Sequence, residues 1–302
     1  MRDRARQALV KMALEPEWEA RFEANSYGFR PGRSAHDAME AIFTGICHKP
    51  KYVLDADIEK CFDQISHEVL LEKLSTLPVI ESLVRGWLKA GILDNGEMLY
   101  PETGTPQGGV ASPLLANIAL HGLETALVTS LPQRRRPIVI RYADDFVVLH
   151  EELATLQQLQ KRAETWLAQT GLRLKHSKTS ITHTLHEHQG NVGIDFHGFT
   201  VRQIPVGKHR SKTYHGERAF KTLIKPSDAG QKRHLETIRD VIRSYRGNEQ
   251  AALIATLNRK IRGWAMYYRT CVAKRVFCQM DSLLSHKLRR WSAYRHSGKS
   301  CR

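Results

Sequence analysis

The chain has 302 residues, which is enough for one large domain and a smaller one, or for two domains of ordinary size. Lysine and arginine number 46 against 31 acidic residues, and the resulting net charge of +15 is typical of proteins that bind polyanions such as nucleic acid. The five cysteines form no C-x-x-C pair, which argues against a disulfide framework and a zinc site and favours a reducing cytosol, and no run of 18 apolar residues indicates a membrane span.

The first part of the chain alternates helical and strand-like segments. Residues 1–24 have a helical pattern, and Ser34 is a typical N-cap for a second helix that runs to about residue 49. Residues 52–58 alternate as in a short strand, and Ser66 begins another helix. The Asp-Asn-Gly sequence at 94–96, between apolar runs, predicts a β-hairpin.

The middle of the chain combines a loop, strands and two helices. The predicted segments are a glycine-rich loop at 104–109, an apolar helix from about 112 to 128, strand-like runs at 137–142 and 146–149, and an amphipathic helix at 151–170. Gly171 ends the last of these helices, and short strand-like pieces continue to about residue 204.

The last part of the chain is basic and helical. Three helices are predicted at about 228–246, 250–269 and 272–296, with arginine and lysine dense and tryptophan and tyrosine interleaved. After residue 250 the only acidic residue is Asp281. This change of composition predicts a domain boundary between about residues 205 and 226.

Three acidic residues occupy positions for which packing gives no reason. Asp144 and Asp145 are adjacent between two apolar runs, where they repel each other and lose hydration. Asp57 closes a third apolar run, and neighbouring strand ends would bring it beside Asp144. A divalent cation would offset these costs, and two Mg²⁺ ions about 3.5–4 Å apart can activate a hydroxyl and stabilise a departing pyrophosphate. The alternative is a turn whose acids are only solvated.

Four segments resemble, in order, sequence blocks of the reverse transcriptases that group II introns encode. They are S-Y-G-F-R-P-G-R-S at 26–34, D-I-E-K-C-F-D at 57–63, G-T-P-Q-G-G-x-x-S-P-L-L-x-N at 104–117, and I-R-Y-A-D-D-F at 140–146. The resemblance implies an α+β fold, in which right-hand polymerase fingers and palm, an antiparallel sheet with packed helices, precede an all-α basic thumb or maturase domain. It implies an RNA-directed DNA polymerase with two Mg²⁺ ions and the catalytic acids Asp57, Asp144 and Asp145.

The first carboxylate block contains more than one candidate ligand. The family places the metal ligand five residues before an aromatic residue, and Asp57 and Phe62 have this spacing. Strand alternation puts Asp55 on the same face as Asp57, so the residues alone do not exclude it. The resemblance adds the Ile58 carbonyl as a further metal ligand and leaves Asp63 as a turn cap or a partner of a base.

The resemblance also implies a nucleotide pocket. Its residues are Phe62, which would exclude a 2′-hydroxyl, the loop residues Gln107 and Gly108, and Lys178, which would approach the triphosphate. Lys175 is the rival of Lys178, and without the resemblance a core phenylalanine, a helix-entry loop and solvated lysines would be the preferred interpretations. Residues 196–199 resemble the primer-grip hairpin, although His197 stands where the family usually has leucine.

The basic helices resemble the maturase domain through G-W-x-x-Y-Y-R at 263–269 and the segment 288–296. The expected domains are therefore fingers and palm at 1–220 and the maturase domain at 221–302. The residues expected to contact template or intron RNA are Arg30, Arg33, Lys260, Arg262, Arg269, Arg289 and Arg290. The alternative for the helical part is a solvated three-helix bundle with core aromatics.

The expected partners follow from the same resemblance: intron RNA, an RNA template with a DNA primer, dNTPs and a second copy of the chain, but no membrane, in a bacterial cytosol or an organelle. The R-P-L-G-I-P-type stretch of the fingers and the H-N-H-type endonuclease of the family are not found, so the fingers are expected to be incomplete. The competing hypotheses are an RNA-binding splicing factor without polymerase activity and a retron-like or defence-associated polymerase.

A histidine cluster at 183, 186 and 188 is interpreted as a polar surface hairpin.

Overall fold

The structure is a computed structural model, and it describes residues 2–90, 92–94, 97–99, 102–105, 108–206 and 220–295. The chain forms two compact units, Met1–Val192 and Gly193–Arg302. Across the described ranges, no helix has both the length and the apolar character needed to cross a bilayer.

The first unit is built around a four-stranded antiparallel sheet in the order β4-β5-β1-β6. Its strands are β1 (Tyr52–Asp57), β4 (Ile138–Tyr142), β5 (Asp145–His150) and β6 (Ser180–His183). A separate hairpin pairs β2 (Ile92–Asp94) with β3 (Glu97–Leu99), as the Asp-Asn-Gly sequence predicts.

Eight α-helices of the first unit are described. They are α1 (Arg2–Arg21), α2 (Ala35–Ile46), α3 (Cys61–Gln64), α4 (His67–Leu74), α5 (Pro78–Leu88), α6 (Ser112–Leu120), α7 (Leu123–Val128) and α8 (Leu153–Gln169), with a 3₁₀ turn at Gln133–Arg135. Ser34 caps α2 in a capping box with Asp37, and Ser66 caps α4, as their sequence positions predict.

The core of this unit explains why its strands are so apolar. Strand β5 is buried along almost its whole length, because helices α2 and α8 pack against the sheet. Phe146, Leu54 and Ile118 are among its fully buried side chains. Burying each such side chain contributes roughly 1.5–3 kcal/mol, so this core holds the strand ends in place.

One helix prediction was wrong. The apolar stretch from 112 to 128 forms two helices, α6 and α7, instead of one. The break lies at Gly122, whose φ of 100° is incompatible with a continuous right-handed helix. Apolar composition alone predicted the continuation, and it carries no information about this backbone angle.

The second unit combines a small sheet with three helices. The antiparallel strands are β7 (Ile194–Phe196), β8 (Phe199–Pro205) and β9 (Phe220–Pro226), and the helices are α9 (Asp228–Ser244), α10 (Gln250–Tyr268) and α11 (Lys274–Arg295). The three predicted helices are confirmed, whereas β9 was not predicted. A small apolar cluster joins the helices, and it contains Ile238, Ile242, Leu253, Leu257 and Trp291.

Hydrogen bonds tie the β7–β8 hairpin to α10 inside this unit. The hydroxyls of Tyr267 and Tyr268 donate to the carbonyls of His197 and Gly198, over 2.9 and 3.0 Å. The hairpin therefore belongs structurally with the helices. The antiparallel sheets, packed helices and helical C-terminal region confirm the predicted α+β class, while the domain limits 1–220 and 221–302 stay a prediction.

Candidate active site and family

The acidic residues of β1 and β5 lie at the same end of the sheet. The two strands pair antiparallel with Asp57 opposite Asp145, and the backbone N–H of Ile58 donates to the carbonyl of Asp144 over 3.1 Å. The expectation that strand ends would bring Asp57 beside the acidic turn is thus confirmed in its geometry. Asp55 lies two residues further along β1, opposite Val147.

The turn that carries Asp144 depends on a close backbone contact. Ala143, between β4 and β5, has a φ of 57°, in the left-handed region that non-glycine residues rarely adopt. A Cβ atom added to Gly28 would lie 2.2 Å from the Ala143 nitrogen. Because only glycine permits this approach, residues 26–34 act as a support for the acidic turn.

A buried arginine holds the same turn from behind. The guanidinium of Arg141 donates to Asn117 Oδ1, the Ala143 carbonyl and Ser26 Oγ, over 3.0, 3.0 and 2.7 Å. Burial lowers the pKa of Arg141 to about 10, so it remains charged at neutral pH. Asn117 also donates to the Gly28 carbonyl over 2.8 Å, and the network therefore links three of the four sequence blocks.

The carboxyls repel one another in a partly buried setting. Burial, reinforced by the charges of Asp144 and Asp57, raises the pKa of Asp145 to about 7. Burial and the charge of Asp57 also raise the pKa of Asp144. The ammonium of Lys178 forms an ion pair with Asp57, which raises the lysine pKa in turn. The cluster therefore favours a positive charge at this point.

The donor set suits a hard divalent cation. Carboxylate oxygens are the preferred ligands of Mg²⁺, and a cation would offset the burial and the repulsion that raise the two aspartate pKa values. Within the described residues, no three His, Cys, Asp or Glu side chains already converge as a metal cage. In this structure the Lys178 ammonium is the cation next to Asp57. Ile58 contributes its N–H to the turn, and its role as a carbonyl ligand stays a prediction.

Two of the residues predicted to bind nucleotide, Phe62 and Lys178, are linked to the first carboxylate block. Phe62 sits in α3, and its carbonyl accepts a hydrogen bond from the Thr105 N–H. A Cβ on Gly104 would lie 2.7 Å from the backbone of Asp63, so the glycine-rich loop begins in close contact with the first carboxylate block. Gly108 is exposed with a φ of 82°, and Gln107 lies outside the described residues.

Arg30 is placed differently from its predicted role in RNA binding. Its side chain is only 3% exposed, and its guanidinium is bound by the Glu19 carboxylate at 2.7 Å and by the carbonyls of Glu23 and Ser26. These contacts hold the 26–34 loop against α1 and leave no guanidinium face for phosphate. Arg33 is more exposed and lies over the ring of Tyr27.

Comparisons with known proteins agree with the resemblance. The family model for reverse transcriptase (RNA-dependent DNA polymerase) matches residues 1–214, and the model for the group II intron maturase-specific domain matches residues 231–302. The chain belongs to the group II intron reverse transcriptase/maturase family. The maturase match disfavours the retron-like alternative.

Relatives of this family member share moderate identity. The group II intron-encoded protein LtrA of Lactococcus lactis subsp. cremoris is 36% identical over 54% of this chain and 27% of its own length. Protein YkfC of Escherichia coli K12 is 30% identical over 61% of this chain and 58% of its own. An uncharacterized 91 kDa protein in the cob intron of Schizosaccharomyces pombe is 41% identical over 41% of this chain and 16% of its own. The chain thus matches only part of each relative.

Solved structures support the polymerase fold. Apo telomerase from Candida tropicalis, truncated from the C-terminal domain, has a TM-score of 0.53 at 15% identity, covering 65% of this chain and 43% of that one. Telomerase from Candida albicans in complex with a TWJ fragment of telomeric RNA has a TM-score of 0.52 at 14% identity, covering 97% and 53%. At these identities the likeness concerns the fold alone.

In this intron reverse transcriptase/maturase chain, the five residues of the second unit that are predicted to bind RNA lie on its surface. Lys260 and Arg262 are exposed on α10, Arg269 is exposed at its end, and Arg289 and Arg290 are exposed on α11. Tyr268, in the same block, is buried. The helices therefore bury an aromatic residue and present cations, as the pattern predicts.

Two residues that contact the site were not predicted from the sequence. Arg141 was named only as a letter of the I-R-Y-A-D-D-F segment, yet a charged residue inside the apolar run 137–142 indicates a buried hydrogen-bond network. Phe29 was likewise not singled out, although it is half exposed beside Phe62.

Proposed function

We propose that this chain is an RNA-directed DNA polymerase of the group II intron type, which copies RNA into DNA with two Mg²⁺ ions. The observation that carries the proposal is the strand register that sets Asp57 opposite Asp145, with Asp144 on the adjoining turn. Three carboxylates at one end of a buried sheet cost free energy through burial and mutual repulsion, and they match the needs of nucleotidyl transfer.

Each residue of the site has a separate proposed role in the reaction. Asp57, Asp144 and Asp145 would hold the Mg²⁺ ions, which supply charge neutralisation for the attacking hydroxyl and the pyrophosphate. Lys178, already paired with Asp57 and more than half exposed, can turn toward the triphosphate and donate a proton to the leaving group. Phe62 would stand beneath the sugar and exclude a 2′-hydroxyl, and Gly108 would allow close approach of the nucleotide.

The basic surface of the second unit supports a second activity in the same chain. Five exposed cations on two helices suit the phosphate backbone and shape of structured RNA: Lys260, Arg262, Arg269, Arg289 and Arg290. We propose that this surface binds intron RNA, assists its splicing and holds the primer–template. The ligands of the whole protein are then intron RNA, an RNA template with a DNA primer, and dNTPs.

A primer-extension assay with an RNA template, dNTPs and Mg²⁺ tests the polymerase proposal. Asp144→Asn should reduce extension by about 100-fold or more, since it removes charge that the reaction requires. Asp63→Asn, a neighbouring carboxyl in α3, is the matched control and should keep activity. Extension that is unaffected by Asp144→Asn would refute the site.

The alternative is an RNA-binding splicing factor without polymerase activity. It is favoured by the ion pair of Lys178 with Asp57, which places a lysine where a metal ion would be needed. No extension by the wild type, together with tight and salt-sensitive binding of intron RNA, would establish this alternative.

A further inference from the structure

Phe29 combines two features that cost free energy. Its backbone has a φ of 58°, in the left-handed region that bulky residues rarely occupy. Its side chain, a large apolar ring, is 50% exposed. Strained residues of this kind persist where their surroundings force the conformation, and they cluster at functional sites.

The two neighbours of Phe29 leave its backbone no room to relax. Gly28 lies so close to Ala143 that even a Cβ atom would collide with it. Arg30 is buried and held by the Glu19 carboxylate through both its Nε and Nη2 atoms. The ring of Phe29 is therefore presented from a rigid loop that is anchored to the acidic turn on one side and to α1 on the other.

The ring of Phe29 has a specific aromatic partner. Its centroid lies 6.0 Å from that of Phe62, with the planes 77° apart, which is the favoured edge-to-face geometry. Phe62 is itself partly exposed, and its backbone is fixed by the hydrogen bond from Thr105. The side chain of Phe62 thus contacts the ring of Phe29, while its main chain is held by Thr105.

We propose that Phe29 is a positioning residue that fixes the ring of Phe62 and thereby sets the selectivity for deoxyribonucleoside over ribonucleoside triphosphates. The proposal rests on the proposed function, in which Phe62 meets the sugar of the incoming nucleotide. A ring that can tilt away leaves space for a 2′-hydroxyl, whereas a ring held by an edge-to-face contact does not.

Three substitutions of Phe29 separate its ring from its backbone. Phe29→Gly removes the ring and also relieves the left-handed strain, so the fold should keep its melting temperature. Phe29→Leu keeps an apolar side chain without an aromatic edge, and Phe29→Tyr keeps the ring. Phe43→Ala, which removes another partly exposed phenylalanine of the first unit, is the matched control.

The readout is the ratio of kcat/KM for a dNTP to that for the matching rNTP in primer extension. Phe29→Gly and Phe29→Leu should lower this ratio about two- to tenfold, the range expected from loss of one aromatic pair, mostly through the ribonucleotide KM. Phe29→Tyr and Phe43→Ala should leave the ratio unchanged. An unchanged ratio in both the Gly and Leu variants, with melting temperatures preserved, would overturn the proposal.

A failure of the proposed function gives a different result. If the wild type extends no primer with any nucleotide, polymerisation fails as a function, yet the aromatic contact can still be tested by binding. Calorimetric titration of the protein with primer–template, Ca²⁺ and either dTTP or its ribonucleotide counterpart then gives the affinity ratio. A lower ratio of dTTP affinity to ribonucleotide affinity in Phe29→Gly and Phe29→Leu than in the wild type supports the proposal. The same ratio in the wild type and all variants refutes it.

Discussion

Asp145 shows how one residue reports the chemistry of its site. Burial and two neighbouring carboxylates raise its pKa to about 7, whereas the ordinary pKa of an aspartate is 3.8. An ionised carboxylate that lowers the stability of the fold is expected where the charge serves a function. A bound cation supplies such a use, because it favours the ionised carboxylate.

The raised pKa predicts a pH-dependent stability of the metal-free protein. The folded chain holds a proton on Asp145 that the unfolded chain releases from about pH 4 upward, so stability falls as the pH rises toward about 7. Asp145→Asn is neutral throughout, and its melting temperature in EDTA should exceed that of the wild type by a margin that grows from pH 5 to pH 8. A margin that stays constant over this range would contradict the assignment.

At the scale of elements, the acidic hairpin β4–β5 is supported by the loop at 26–34. Gly28→Ala places a methyl group against the Ala143 backbone, and the resulting overpacking should cost about 1–3 kcal/mol of unfolding free energy. Gly86→Ala in α5, where an added Cβ meets nothing within 4 Å beyond its own helix backbone, is the control and should be neutral or stabilising by about 0.5–1 kcal/mol. Urea denaturation measures the free energy of unfolding of both variants. Equal changes in the two would show that the close contact of Gly28 with Ala143 is not required.

The same loop gives Arg30 a structural role. Arg30→Ala leaves the Glu19 carboxylate and two carbonyls without their donor, so it should cost about 2–4 kcal/mol of stability. RNA affinity per folded molecule, measured by fluorescence anisotropy, should stay unchanged. Arg33→Ala, which affects a more exposed side chain, should cost less than about 1 kcal/mol. Loss of RNA affinity with full stability in Arg30→Ala would restore its predicted role in binding.

The sequence predicted most elements because their signals are local. Ser34 and Ser66 mark helix starts, and alternating apolar residues mark β1, so these predictions were confirmed. The pairing of Asp57 with Asp145, the burial of Arg30 and the break at Gly122 depend on tertiary contacts or on a backbone angle. The strand-end positions of the acids were enough to predict that Asp57 lies beside the acidic turn, although they did not give the exact register. The burial of Arg30 and the break at Gly122 were misjudged, because a local pattern does not show which tertiary contacts an arginine makes or which φ a glycine adopts.

At the scale of the whole molecule, the basic excess is expected to act mainly through the second unit. Arg289→Gln combined with Arg290→Gln removes two exposed cations from α11 and should reduce the slope of log affinity against log salt for intron RNA by about 1–2, since each phosphate contact releases roughly one counterion. Lys161→Gln with Arg162→Gln removes two exposed cations from α8 in the first unit and serves as the matched control. Equal slopes for both double variants would show that the RNA-binding surface lies elsewhere.

The central claim is that acids on two neighbouring strands share bound divalent ions. Fe²⁺ in place of Mg²⁺, with added hydrogen peroxide and ascorbate, tests it most directly. The bound Fe²⁺ reduces the peroxide to hydroxide and a hydroxyl radical, ascorbate returns Fe³⁺ to Fe²⁺, and the radical cuts the backbone beside the ion at places that mass spectrometry maps. We expect cleavage near both Asp57 and the Asp144–Asp145 pair, suppressed by excess Mg²⁺ and lost in Asp57→Asn. Cleavage at one of these places without the other, or at neither, would contradict the account.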